Sequence, residues 1–314
     1  MIDITVQNFE AELVHASLQQ PVLLDIWAPW CGPCKTLGPV LEKLEVAYAG
    51  RFRLGKLNSD EQPEIAGQLS QMFGVRSIPF CVLFKDGQPI DGFVGALPEA
   101  QVRGFLDKHV PSVDALAAEE EVSEAQALLA EGDTERALER LQEAVAIDPG
   151  NDAARYDYLR ALLEAGRVDD ARRAFDPVAG KQLLDARLAA AGAWLAACEH
   201  SRTARPADTL AAAIAANRRD FEARFELAQT HFAAGRFTQA MDELLEIIMR
   251  DKAWRDEAAR KTYVAILELM TRPAPRPATA QAQQGALEVA GRAQVASADP
   301  LLDQYRRKLS MALF

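Results

Sequence analysis

The chain has 314 residues, 49% of them hydrophobic and 26% charged, with a formal net charge of −11. That much apolar material excludes wholesale disorder and predicts about two domains with buried cores. The acidity argues against nucleic acid and anionic lipid as partners, and no apolar run reaches the roughly 18 residues of a membrane span. In chain order, the opening MIDITVQNFE has neither the basic nor the apolar region of a signal peptide. Val22–Trp27 (VLLDIW) reads as a buried strand and Phe52–Leu57 as another. Phe80–Phe84, Asp86-Gly87 and Pro89–Val94 read as a hairpin, because Asp-Gly supplies the positive φ angles of a tight primed turn. Leu37, Leu41, Leu44 and Tyr48 share one helix face, Ile65, Leu69 and Met72 a second, and Val102, Phe105, Leu106 and His109 a third. Residues 1–110 are therefore expected to form an α/β domain, a mixed sheet flanked by helices.

After Pro111 the strand signal vanishes. Residues 111–120 are expected as a linker, with the acidic run at 114–124 a solvated face. From 121 to 270 a repeat emerges: EGDTERA, AGRVDDA and AGRFTQA each place Ala five residues after Gly. Gly132, Gly166 and Gly235 lie 34 and 69 positions apart, one period and about two of the 34-residue helix–turn–helix repeat called tetratricopeptide. Large residues keep phase, with Leu128, Leu162 and His231 before the Gly and Leu141, Phe175 and Leu244 after it. The Gly would end the first helix of each pair, and the Ala would let the two helices approach. The repeat near 185–216 has no such Gly, so a different turn is expected. Residues 271–298, with Pro273, Pro275 and Pro277 among Ala and Gln, read as a flexible insert. Asp299-Pro300 reads as the cap and first residue of a final helix over 299–314.

Trp30-Cys31-Gly32-Pro33-Cys34 joins the first buried strand to the first helix. With only four cysteines, a disulfide scaffold is excluded, a reducing cytoplasm is expected, and a close Cys pair points to chemistry. A thiol at a helix N-terminus faces unpaired N–H groups and the positive end of the helix dipole, which favour the attacking thiolate. Cys31 would be the exposed nucleophile, and Cys34, more buried, would resolve the mixed disulfide. The rival zinc reading needs a second pair or histidines at ligand spacing. Cys81 and Cys198 are isolated, and His15, His109, His200 and His231 are scattered, so no metal is expected. Cys81 and Cys198 read as small core residues.

DIWAPWCGPCKTLGPVLEKL, with KLNSD at 56–60, SIP at 77–79, FKDGQP at 84–89 and VGAL at 94–97, resembles thioredoxin over residues 1–110. The resemblance implies a protein-disulfide reductase with no cofactor beyond its redox-active Cys31–Cys34 pair, taking electrons from thioredoxin reductase and NADPH. It implies Asp25 as the carboxylate behind the pair that takes the Cys34 proton, and Lys56 as the neighbour moderating its charge. Ile78-Pro79 would be a cis bond facing the pair, and Trp30 and Gly95 would flank the groove for an extended client. Phe80 stands where thioredoxins carry Thr, which predicts an altered groove.

Apart from the insert at about 272–297, the chain, ending in YRRKLSMALF, is similar to the bacterial chaperedoxin family, in the branch that keeps both cysteines. That resemblance implies a holdase that binds unfolded or oxidised client proteins, protects or reduces their cysteines, and hands them to a GroEL-type chaperonin and the Hsp70 system. It places the chaperonin contact on the last helix, expected at Tyr305, Arg306, Arg307, Leu309, Leu313 and Phe314; the alternative is that Leu302, Tyr305, Leu309 and Ala312 cap the repeats. Two other functions stand beside this one: a thioredoxin-type reductase whose repeats recruit a dedicated substrate without holdase activity, and an adaptor with a relic Cys pair. The intact Cys pair with Asp25 and Pro79 argues against the adaptor.

Overall fold

The computed structural model describes residues 1–271 and 299–313, which divide into two units, 1–113 and 114–271 with 299–313. The first unit runs β1 (Ile2–Asp3), helical turns over Glu10–His15 and Ala16–Leu18, β2 (Val22–Trp27), α1 (Gly32–Ala47) and β3 (Arg53–Asn58), followed by α2 (Pro63–Phe73), β4 (Phe80–Lys85), β5 (Gln88–Val94) and α3 (Glu99–His109). The sheet order is β1-β3-β2-β4-β5. β3 lies parallel to β1 and β2, whereas β4 lies antiparallel to β2 and β5. β2 is central and covered on both faces, which is why its sequence is nearly all apolar. Asp86 and Gly87 close the β4–β5 hairpin with φ of 54° and 77°, the positive angles the Asp-Gly pair favours.

Strand alternation divides the core. Leu23, Leu54 and Leu83 face α1 and α3, against Leu37, Leu41, Leu44 and Phe105. Leu24, Ile26, Phe80 and Val82 face the other way, toward Ala66 and Leu69 of α2. Met72, expected on the inner face of α2, is exposed; Phe73 takes the inner place, its ring 5.5 Å from that of Phe80.

The second unit is helical. Its helices are α4 (Val113–Glu131), α5 (Thr134–Ile147), α6 (Asp152–Glu164), α7 (Val168–Phe175), α8 (Ala186–Ser201), α9 (Ala207–Ala216), α10 (Phe221–Ala233), α11 (Phe237–Ile248), α12 (Trp254–Met270) and α13 (Pro300–Leu313). Gly132, Gly166 and Gly235, at φ of 84°, 71° and 68°, follow α4, α6 and α10, the left-handed stop that glycine supplies. Ala137, Ala171 and Ala240 are fully buried where the paired helices meet. α8 and α9, in the repeat that lacks its Gly, are joined by residues 202–206. The repeat also carries a signal that its glycines did not advertise. Asn151 and Asp220 cap α6 and α10 by accepting from Ala154 and Ala223 N–H at 3.0 and 2.9 Å. One residue beyond each of those alanines stands a buried arginine, Arg155 or Arg224.

Residues 111–120 correct the expectation of a linker. From Val113 onward they belong to α4, because Ala118 packs against Ala144 and Ala154. The acidic face is tied down as well: Glu121 and Glu124 both pair with Arg140 at 3.2 Å. The expected insert at 271–298 lies, but for Thr271, outside the described residues. Asp299 caps α13 as expected, accepting from Leu301 N–H at 3.0 Å. Among the described residues no helix is long and apolar enough to cross a membrane.

Candidate active site

β2 delivers the chain to a turn that stops at Cys31, the N-cap of α1. The Cys31 N–H donates to the Ala28 carbonyl at 3.1 Å, which fixes the turn. Cys31 and Cys34 are joined as a disulfide with their Cα atoms 5.3 Å apart. Cys31 Sγ also accepts the Cys34 backbone N–H at 3.2 Å. On reduction, that N–H and the helix terminus would stabilise a thiolate on Cys31 rather than on Cys34. Pro33 lies in the first turn, where its missing N–H costs nothing.

The burial of the pair differs from expectation. Cys31, expected exposed, is 3% exposed and Cys34 4%. Ala28 is buried with both cysteines, and Trp27 and Ile78 pack against them. Burial therefore does not distinguish nucleophile from resolver; the N-cap hydrogen bond does. The Ile78-Pro79 bond is cis, and the Pro79 carbonyl accepts from Gly95 N–H at 2.8 Å. Gly95 has φ of 89°, open to glycine and costly for other residues. Trp30 is 71% exposed, and its indole N–H donates to the Asp60 carboxylate at 3.1 and 3.2 Å. Phe80, expected to reshape the groove, is buried instead. It is the first residue of β4 and, with Val82 and Phe84, points to the α2 side of the sheet.

Asp25 is 1% exposed. Burial pushes its carboxyl from 3.8 up to about 6; the Lys56 charge and a hydrogen bond from Cys81 pull it down, and Glu42 pushes it up. Register places Lys56 beside Asp25 from β3 and Cys81 beside it from β4. The Lys56 ammonium, however, bonds Glu42 at 2.9 Å and lies 5.7 Å over the Trp27 ring. Cys81 Sγ is 3.7 Å from Asp25 Oδ1. Sequence reading missed Glu42, Asp60 and the contact of Cys81 with Asp25. Glu42 carried a usable signal: it stands four residues after Gly38 on α1, and a side chain on Gly38 would meet Lys56 Nζ at 3.6 Å, so Lys56 passes along that helix face.

The expected partner site on α13 belongs to the second unit and is partly turned inward. Tyr305 is buried; its hydroxyl bonds Asp242 at 3.2 Å, and its carbonyl accepts from the Tyr263 hydroxyl at 2.8 Å. Leu309 and Leu313 pack on the repeat core. Tyr305 and Leu309 therefore take the capping role that the alternative assigned to their stripe, and Leu313, expected at the partner contact, packs on the core as well. Arg306 and Arg307 are exposed, and Arg306 donates to the Thr271 hydroxyl at 3.1 Å. Phe314 lies outside the described residues. Among the described residues no three His, Cys, Asp or Glu side chains gather as a metal would require.

Comparison with known proteins follows the same division. The thioredoxin family's profile matches residues 1–108, and tetratricopeptide profiles match 128–195 and 200–287. Thioredoxin 1 of Synechococcus elongatus is 42% identical over 107 residues, 34% of this chain and 94% of that protein. Thioredoxin 2 of Chlorobaculum tepidum is 45% identical over 106 residues, 34% of this chain and 92% of its own length. The thioredoxin of Haemophilus influenzae is 44% identical over 103 residues, 33% of this chain and 91% of its own length.

Proposed function

The chain belongs to the thioredoxin family through its first 108 residues, and from that premise we propose that it is a protein-disulfide reductase joined to a client-holding repeat array. In the redox half, the Cys31 thiolate attacks a client disulfide, forming a mixed disulfide and releasing one client thiolate. Cys34 passes its proton to Asp25 and attacks Cys31 Sγ. The second client thiolate leaves, and the Cys31–Cys34 disulfide remains. Two electrons have moved from the pair to the client. Thioredoxin reductase and NADPH restore the dithiol. Lys56 moderates the Asp25 charge, and Trp30, Ile78, Pro79 and Gly95 border the seat of the client. The observation that carries this half is Cys31 at the cap of α1, accepting the Cys34 N–H at 3.2 Å; the buried Asp25 of the preceding strand, with its proton affinity raised, supports it.

In the second half the protein is a cytoplasmic holdase that keeps unfolding clients in solution and passes them to a GroEL-type chaperonin and the Hsp70 system. The support is the repeat architecture, together with large apolar side chains left in solvent. Leu183 and Leu184, before α8, are 98% and 89% exposed, and Met249 and Met311 are exposed too. Unfolded clients offer the apolar surface such residues would cover. The test is aggregation of a chemically denatured client at near-stoichiometric ratio. Suppression by the double variant Cys31→Ser, Cys34→Ser supports the holdase; its failure favours a reductase with a dedicated substrate.

A further inference from the structure

The strand register that forms the active site also brings a third thiol to it. β4 leaves Pro79 antiparallel to β2, and its second residue, Cys81, stands opposite Asp25. On the other side β3 sets Lys56 opposite the same Asp25. The three side chains form a row across the sheet on the face otherwise lined by Leu23, Leu54 and Leu83. An aliphatic residue would suit position 81 as a core position; instead a sulfur lies 3.7 Å from Asp25 Oδ1, within reach of a weak S–H···O hydrogen bond.

The direction of that bond is settled by its surroundings. Cys81 is fully buried, and burial and then the Asp25 charge push its thiol well up. It therefore keeps its proton throughout the range in which Asp25 titrates and acts only as a donor. The Lys56 charge is the larger of the two influences that lower Asp25, ahead of the Cys81 bond, but its ammonium hydrogen bond goes elsewhere. Lys56 donates to Glu42 at 2.9 Å, and Glu42, on α1, is itself an anion. Cys31 and Cys34, at the start of α1, are joined as a disulfide and carry no charge. A buried carboxylate with no donor pays its full desolvation, so even a weak S–H bond has a disproportionate effect.

We propose that Cys81 is a positioning residue for Asp25: its S–H holds the carboxylate in place and steadies its ionised form, and so governs the step in which Asp25 accepts the Cys34 proton. This rests on the redox reading above. In that step the proton moves from Cys34 Sγ to an Asp25 oxygen and the electron pair stays on Cys34 sulfur. Cys81 keeps its own proton and is neither oxidised nor reduced.

The test uses the full-length oxidised protein and two variants, Cys81→Val, which removes the donor at similar volume, and Cys81→Ser, which keeps one. Carbon-13 NMR of the Asp25 carboxyl reads its titration directly. In parallel, the pH profile for reduction of a small aromatic disulfide by the dithiol form reads the chemistry. The expectation is that the Asp25 midpoint rises by about half a unit in Cys81→Val, stays at or below the wild-type value in Cys81→Ser, and that the acid limb of the profile moves with it. A Cys81→Val midpoint equal to wild type overturns the proposal. So does a raised midpoint beside an unmoved profile, since Cys81 would then tune a carboxylate that the reaction does not use. Failure of every form, wild type included, to reduce the disulfide overturns the redox reading, and the role of Cys81 with it. Should circular dichroism show Cys81→Val unfolded, Cys81→Ala carries the same expectations.

Discussion

Replacing Asp25 with Asn removes a charge that the fold stores at a cost. The carboxyl ionises at about 6 in the folded chain against 3.8 ordinarily, a rise of about two units. At about 1.4 kcal/mol per unit, the ionised form costs the fold about 3 kcal/mol. The sign follows from the direction of the shift. A raised acid binds its proton more tightly when folded, so its contribution is fully present below about 3.8 and is lost as pH rises through about 6. Asp25→Asn, nearly isosteric with the protonated acid, should therefore match wild type near pH ~4 and be more stable by about 3 kcal/mol near pH ~8. Hydrogen exchange of β2 and β4 peptides against urea reads the opening of the first unit without interference from the repeats. A gain equal at both pH values, or no gain at the higher one, would falsify the reasoning. That the sequence tolerates such a cost in its central strand is what a carboxylate kept for chemistry looks like.

Three other perturbations test the geometry. Glu42→Gln should release the Lys56 ammonium toward Asp25 and remove a nearby negative charge, lowering the Asp25 midpoint, the opposite of the Cys81→Val effect; the same NMR titration checks it. Gly92→Ala should destabilise the first unit by roughly 1–3 kcal/mol, because its Cβ would stand 2.7 Å from the Cys81 carbonyl oxygen, and that oxygen is backbone; urea melts of Gly92→Ala and of Gly67→Ala, where a Cβ meets nothing within 4 Å, should differ accordingly. Tyr305→Ala should cost roughly 3–5 kcal/mol of α13 docking and raise tryptic cleavage at Arg306 and Arg307 by at least about two orders of magnitude, whereas Tyr305→Phe should cost about 1 kcal/mol; equal cleavage in wild type and Tyr305→Ala would mean that the Tyr263–Tyr305–Asp242 contacts do not anchor the helix.

Features written in local periodicity were legible in the sequence. VLLDIW is strand because both of its faces are covered, Asp86-Gly87 is a turn because few other pairs take those angles, and the repeat announced itself through three glycines whose left-handed φ ends a helix. Cys31 and Cys34 were legible because a helix start alters a thiol whatever the rest of the fold does. Features set by register or by the other side of an interface were not. Cys81 reads as a core residue until β4 is aligned with β2, and Phe80 reads as groove until strand alternation turns it inward. The stripe through Tyr305 and Leu309 looks the same whether it meets a partner or the repeat core. The acidic run at 114–124 looked like a solvated linker because Ala118, which docks α4, is too small to mark a helix face.

The central claim is that Cys31 carries out disulfide exchange, and the most direct measurement is NADPH consumption by the purified full chain with thioredoxin reductase and a disulfide substrate. Wild type should turn over, Cys31→Ser should show none, and Cys34→Ser should stall as a mixed disulfide through Cys31 detectable by mass spectrometry. Turnover in Cys31→Ser equal to wild type, or a trapped adduct on any other cysteine, would contradict the account.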